Sequence, residues 1–219
     1  MKSFIYIALI SIPIYLYHTI KKQKKSKPID VSEELIEPMH NMCTIDKVYY
    51  YMNVLSKDDY NKIYNECDAL NPELMEGNMQ DDTMAKRRIL NVSKDSVLYD
   101  IFYGDEFINY LNNKLNMKLK PSKLLPIDYR IYELGGRMKW HRDVIIAENK
   151  KCPQIEIVFT LDNTSDSRTI WKEDDTGDIH KIRTESNSIL ITQGNSAYHK
   201  VLPVTTGQRR IIKIAYEVI

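Results

Sequence analysis

After residue 126 the sequence stops reading as helix. Short β-type segments follow at 127–134, 138–140, 154–161, 168–172, 178–183, 188–192 and 209–218. Turn signals separate them at Gly135-Gly136, 162–167, 174–177, 193–196 and 205–207. Short strands broken this often are the pattern of a sandwich or barrel. No internal repeat is visible. Upstream the texture differs. Residues 48–55 (VYYYMNVL) are rich in β-formers, and Ser56 opens a capping-box-like SKDD. Tyr60, Ile63, Tyr64, Cys67 and Leu70 then recur at helical spacing. Two further helices are predicted at 94–103 and 105–115, the second with a stripe of Phe107, Ile108, Leu111 and Leu115. Helices first and strands afterwards predict an α+β, mainly β fold: a double-stranded β-helix (jelly roll) with supporting N-terminal helices.

A membrane segment is expected ahead of this domain. Residues 4–20 (FIYIALISIPIYLYHTI) carry no Asp, Glu, Lys or Arg, and as a helix they would span about 26 Å, the lower limit for crossing a bilayer core. Pro13 is tolerable there, and Tyr6, Tyr15 and Tyr17 suit an interface. Lys21, Lys22, Lys24, Lys25 and Lys27 follow directly. No small-x-small cleavage site separates them from the run, so an uncleaved transmembrane anchor is preferred to a cleaved signal. The lysines also bias the main domain to the cytosolic side and could touch anionic headgroups. The expected division is an anchor with lysine flank at 1–27, a linker at 28–44 and one catalytic-size domain at 45–219.

The formal charge of +1 conceals a segregation, because without those lysines and Lys2 the remainder stands at about −5. An acidic body argues against a phosphate-tracking groove, so nucleic acid is an unlikely partner. Cys43, Cys67 and Cys152 are widely spaced and odd in number. They predict free thiols in a reducing compartment, with one bridge plus a free thiol as the alternative.

The chemistry concentrates on histidine. In Trp140-His141-Arg142-Asp143 an imidazole and a carboxylate stand two apart on an extended segment, so both face one side of a sheet. His199, in AYHK, can supply a third ligand if the fold returns it beside them. Two imidazoles and a carboxylate leave coordination positions open, as non-haem Fe(II) oxygenases require. Zinc is less favoured, since no HExxH-type compact spacing exists.

These residues resemble the Fe(II)/2-oxoglutarate-dependent dioxygenases, in particular the prolyl-4-hydroxylase-like branch, over roughly 48–218. The most specific stretch is His199-Lys-Val-Leu-Pro-Val-Thr-Thr-Gly-Gln-Arg209, which looks like the family's distal histidine followed by V-x-P-V-x-x-G and a basic residue. Tyr132 and Gly135 before His141 and Asp143 look like its Tyr-x-x-Gly, and the 48–64 segment looks like its opening strand and helix. The resemblance implies that His141, Asp143 and His199 hold iron. It also implies that Arg209 pairs with the distal carboxylate of 2-oxoglutarate and that Tyr132 donates its hydroxyl to the same group. A planar guanidinium suits that two-pronged contact. Arg210 is the competitor for Arg209, because a one-residue slip exchanges their faces. Two departures stand out: Ser165-Asp166-Ser167-Arg168-Thr169 replaces a glycine-rich turn, and Ile211 stands where serine is common.

The function so implied is a membrane-anchored dioxygenase using Fe(II), 2-oxoglutarate and dioxygen, with ascorbate as a candidate addition. It would hydroxylate a C–H bond of a protein or peptide, proline first, and release succinate. Related hydroxylases often face the secretory lumen, which stands as the alternative to a cytosolic domain. The rival readings are a catalytically inactive, membrane-tethered jelly-roll binding module and a nucleobase demethylase. The acidic body and the expected absence of a basic, aromatic-interleaved face count against the demethylase. His180 reads as an outward strand residue, Trp140 and Trp171 as core or rim packing, and Glu173-Asp174-Asp175 as a solvated turn.

Overall fold

The computed structural model describes residues 43–45, 47–70, 84–173 and 177–219. The predicted anchor at 1–27 and nearly all of the linker lie outside the described residues. Among the described residues no helix is long and apolar enough to cross a membrane. In chain order the elements are β1 (Tyr49–Met52), α1 (Lys57–Ala69), β2 (Met84–Asn91), α2 (Val97–Phe102), α3 (Asp105–Leu115), β3 (Leu119–Pro121), β4 (Asp128–His141), β5 (Ile155–Asn163), β6 (Thr169–Lys172), β7 (His180–Ile182), β8 (Ser188–Gln193), β9 (Tyr198–Val201) and β10 (Arg209–Val218). The strands form one antiparallel sheet in the order β1-β8-β5-β10-β4-β9-β6-β7, with β2 added on β4 and β3 on β10.

Local chemistry sets the helix ends. At α1 the Ser56 hydroxyl accepts from the Asp59 N–H at 3.1 Å and donates to the Asp59 carboxylate at 2.9 Å. The second helix starts at Val97 rather than 94, because Ser96 caps it by accepting from the Leu98 N–H at 3.1 Å. Helix α3 runs as expected and ends on Asn116 in the left-handed conformation (φ 51°).

Strand alternation then divides the interior in two. Ile155, Ile157, Phe159 and Leu161 of β5 join Ile212, Ile214 and Tyr216 of β10 in the core beneath the helices. Phe102 of α2 meets Phe159 edge-on at 5.2 Å, and both are fully buried. The opposite side of β4, β9 and β10 forms a smaller apolar cluster of Tyr132, Val201, Val204 and Ile211. The cavity described below opens on that side.

Three features of the sheet and its cross-link depart from the sequence reading. Gly135-Gly136 is no turn, and β4 runs straight through it as one strand. The pair makes an irregularity instead: Gly135 adopts φ 82° opposite Lys86 at φ 48°, where the β2–β4 register shifts. A Cβ on Gly136 would lie 2.7 Å from the Glu133 carbonyl oxygen and 2.8 Å from that of Lys86, so no side chain fits. Strand β2 was not expected, since the Lys-Arg-Arg in its middle hides any alternation. Third, Cys43 and Cys152 form a disulfide with Cα atoms 5.3 Å apart, and Cys67 stays free and buried. This corrects the free-thiol expectation in favour of one bridge plus a thiol, a pairing that separated positions in a sequence cannot announce. Burial, helped by the nearby Glu66, pushes the Cys67 thiol up to about 12, so it stays protonated and inert at neutral pH.

The bridge closes a separation of 109 residues, for which chain entropy gives up to about 4.7 kcal/mol. Cys152→Ser is therefore expected to lower the unfolding free energy by about 2–5 kcal/mol in urea titration. Reductant should shift the parent midpoint and leave the variant's unchanged.

Candidate metal centre

Strands β4 and β9 are neighbours, and His141 lies directly opposite His199 in their register. Directly opposed residues share a face, and the two imidazoles meet with centroids 4.2 Å apart. Asp143 follows two residues after His141. Its backbone carbonyl accepts from the Asn195 N–H at 2.8 Å, which ties it to the turn after β8. Asp143 Oδ2 lies 3.6 Å from His199 Nε2. One ligating atom from each of the three falls within 4.8 Å of the others, the one such group of His, Cys, Asp and Glu among the described residues.

The rings are oriented from behind. His141 Nδ1 lies 2.8 Å from the Lys139 carbonyl oxygen and His199 Nδ1 lies 3.1 Å from that of Ala197. A carbonyl can only accept, so each Nδ1 carries its proton and each Nε2 presents a lone pair. Burial, followed by the neighbouring His199, holds His141 below the ordinary histidine pKa, which favours the neutral imidazole that a metal would need. Burial works against the Asp143 anion, but Lys213, His199 and His141 together hold its pKa below the usual carboxylate value.

Arg209 and Tyr132 line the same cavity as the three. Arg209 is 2% exposed. Its Nη1 donates to Thr169 Oγ1 at 3.0 Å, its guanidinium lies 5.8 Å from the Tyr132 ring centroid, and its buried Nε has no hydrogen-bond partner. Burial pushes its pKa below the ordinary arginine value. Arg210 points to the helix side. It donates to Asp162 at 2.8 Å and Asp68 at 2.9 Å, and lies over the Tyr64 ring at 4.7 Å. Of the two arginines only Arg209 reaches the cavity. The Tyr132 hydroxyl donates to Met138 Sδ at 3.1 Å. Both departures from the family pattern have local roles: Thr169 contacts Arg209, Asp166 accepts from the Thr205 N–H at 2.8 Å, and Ile211 lines the cavity.

Sequence reading missed a buried relay behind Asp143. Lys213 Nζ lies 3.2 Å from Asp143 Oδ1 and also pairs with Glu156. Glu156 accepts from Gln154 Nε2 at 2.7 Å, and Gln154 in turn holds the Val144 carbonyl at 2.7 Å and the Ile146 N–H at 2.9 Å. Burial opposes the Lys213 ammonium, but Glu156 and Asp143 raise its pKa above the usual lysine value. The available signal was one charge inside each apolar run, Glu156 in IEIVFTL and Lys213 in IIKIAY, with Lys213 at even spacing from Arg209.

His180 is exposed, as expected, but it has fixed partners. It pairs with Trp171 in register, as Trp171 does with His199, so all three share the face of the metal cluster. Its ring stacks on Trp171 at 5.1 Å, and Glu173 bridges Trp171 Nε1 at 3.0 Å and His180 Nε2 at 3.2 Å. Glu173 is thus a fixed partner rather than part of a solvated turn, while Asp174 and Asp175 lie outside the described residues.

No protein-family model and no curated protein matches this sequence. Solved structures do match its fold. A Pseudomonas putida prolyl-4-hydroxylase aligns at TM-score 0.60 and 13% identity, covering 78% of this chain and 91% of that one. A Trichoplax adhaerens prolyl hydroxylase in complex with a hypoxia inducible factor peptide fragment aligns at 0.62 and 14%, covering 78% and 84%. HygX of Streptomyces hygroscopicus, with nickel and 2-oxoglutarate bound, aligns at 0.56 and 11%, covering 78% and 82%. The chain has the jelly-roll fold of the prolyl-4-hydroxylases and other 2-oxoglutarate-Fe(II) oxygenases, as its sequence resemblance implied.

Proposed function

We propose that the protein is an Fe(II)/2-oxoglutarate-dependent dioxygenase that hydroxylates a C–H bond of a peptidyl residue, with proline the first candidate. One observation carries the reading: a His-Asp-His cluster and a buried arginine with no carboxylate partner among the described residues line the same cavity. A buried guanidinium without an ion-pair partner is costly, and an incoming carboxylate relieves that cost. The residues present therefore fit both groups. His141, Asp143 and His199 would hold the metal, and Arg209, backed by Thr169, would hold the distal carboxylate of 2-oxoglutarate, with Tyr132 turning from Met138 to join it. Bound together, iron and 2-oxoglutarate consume dioxygen, release carbon dioxide and succinate, and insert one oxygen atom into a substrate C–H bond. The protein's own residues bind, orient and exclude water: Nδ1 contacts fix both imidazoles, Lys213 fixes Asp143, and Val158, Val201 and Ile211 supply an apolar part of the cavity wall.

The peptide complex of the Trichoplax protein supports a polypeptide substrate. An inactive binding module would have no use for the orphaned Arg209. Residues 4–20 are proposed as the anchor. The Cys43–Cys152 bond supports the luminal topology over the cytosolic one, and protease protection in sealed vesicles distinguishes them. The substrate test is mass spectrometry of proline-rich peptides incubated with the full chain, Fe(II), 2-oxoglutarate and ascorbate. A gain of one oxygen on proline is expected; succinate formation that no proline peptide stimulates, with oxygen gained elsewhere, would overturn the proline assignment.

A further inference from the structure

The other side of the same strands carries a surface of different chemistry. Trp140 and Tyr198 stack nearly parallel, with centroids 5.1 Å apart and planes 11° apart. Lys200 Nζ lies 4.8 Å from the Trp140 ring centroid, and Lys172 and Arg142 lie 5.4 Å and 5.9 Å from that of Tyr198. Lys200 pairs with Ile170 and Ile170 with Lys181, so by alternation the exposed Lys181 extends the row towards the sheet end. The residues of β6, β7 and β9 turned away from the metal cluster (Ile170, Lys172, Lys181, Tyr198 and Lys200) include no carboxylate. The structure thus corrects the expectation that no basic, aromatic-interleaved face exists. The cations occupy alternate positions on separate strands, so no run of charge betrays them in the sequence.

We infer that this face docks an acidic segment of the polypeptide substrate. The inference rests on the oxygenase reading only for the word substrate. The sign of the charge selects an anionic partner. Each ring of the Trp140–Tyr198 pair is stacked on the other and has a lysine Nζ within 5.4 Å of its centroid, so stacking surface for a nucleobase is already taken up. Both rings are half-buried rather than projecting, unlike aromatic side chains that insert at a bilayer interface. The metal cluster lies on the opposite face of the same strands, and β7 ends the strand order. A chain leaving the cluster past Trp171 and His180 passes over that end onto the cationic face. The substrate's acidic stretch would then flank the oxidised residue.

The test is fluorescence anisotropy with the full chain and a labelled oligoglutamate of about eight residues, which spans roughly 26 Å when extended. Parallel arms use a glycine-serine peptide, an oligothymidylate and phosphatidylserine vesicles. A second series replaces Lys21, Lys22, Lys24, Lys25 and Lys27 with Gln to remove the competing lysine run. In that background oligoglutamate should bind in preference to the other three probes. Lys181→Glu with Lys200→Glu should weaken it at least ~10-fold, Lys181→Glu alone should weaken it less, and the double Arg replacement should retain it. Unchanged Mn(II) binding by the Glu variants shows that the fold is intact. Equal oligoglutamate affinity in parent and double Glu variant, or binding only of the oligothymidylate or the vesicles, overturns the inference. Anisotropy needs neither iron nor 2-oxoglutarate, so this outcome is read separately from the fate of the oxygenase reading.

Discussion

Asp143→Ala and His199→Ala are each expected to raise the dissociation constant for Mn(II), a redox-quiet probe of the site, by at least ~100-fold and to abolish 2-oxoglutarate turnover. Loss of a partner one shell further out already costs 10- to 100-fold in comparable sites, and here one of three ligands is removed from a cluster whose ligating atoms lie within 4.8 Å. The fold should survive both changes. After Asp143→Ala, Lys213 keeps its pairing with Glu156, so no buried charge is left alone. His180→Ala is the control. It removes an imidazole from the same face of the sheet, but one paired to Glu173 and stacked on Trp171, and Mn(II) affinity should not change. Isothermal titration reads all three. Parent-like affinity in His199→Ala would remove His199 from the ligand set.

The second large effect concerns Arg209. Arg209→Met should raise the KM for 2-oxoglutarate by ~30-fold or more, from the 2–5 kcal/mol typical of removing one partner of a buried charge pair. The same variant should melt no lower than the parent in the absence of 2-oxoglutarate, because an arginine with an unpartnered Nε gives way to an apolar side chain of similar length. Added 2-oxoglutarate with Mn(II) should raise the Tm of the parent and leave that of the variant nearly unmoved. Arg210→Met should show the reverse pattern. Its ion pairs with Asp162 and Asp68 lie on the helix side, so stability falls while the KM for 2-oxoglutarate stays within about twofold. A lower apo Tm in Arg209→Met with an unchanged KM would mean that Arg209 is structural.

How far the sequence could be read depended on whether a feature is local or is assembled by the sheet. The strands after residue 126 were legible because alternation and turn residues are written locally, and five of the seven predicted segments correspond to separate strands (β5, β6, β7, β8 and β10), while 127–134 and 138–140 merge into β4. They merge because Gly135 and Gly136 serve a close backbone approach to Lys86, and the sequence does not distinguish that use from a turn. His141 and Asp143 could be placed on one face by counting, whereas His199 could be named as their partner only on the condition that the fold return it beside them. Arg209 and Arg210 differ by a single step of pleat, which puts the first in the cavity wall and the second on the helix side, and a sequence does not say which. Lys213, Glu156 and the Trp171–His180 pair were illegible, since their meaning comes from which strand lies alongside. The Cys43–Cys152 pairing and the cationic face are of the same kind.

The central claim is that this cavity couples a metal to a dicarboxylate for oxidation, and it is tested most directly by decarboxylation without any added peptide. The full chain, stripped with chelator and reloaded with Fe(II), is given 2-oxoglutarate and ascorbate in air, and carbon dioxide and succinate are counted. The account predicts slow formation of both in equal amounts, absent without Fe(II) and absent in Asp143→Ala. Succinate formation that is equal in parent and Asp143→Ala, or a parent that binds neither Fe(II) nor 2-oxoglutarate, would contradict it.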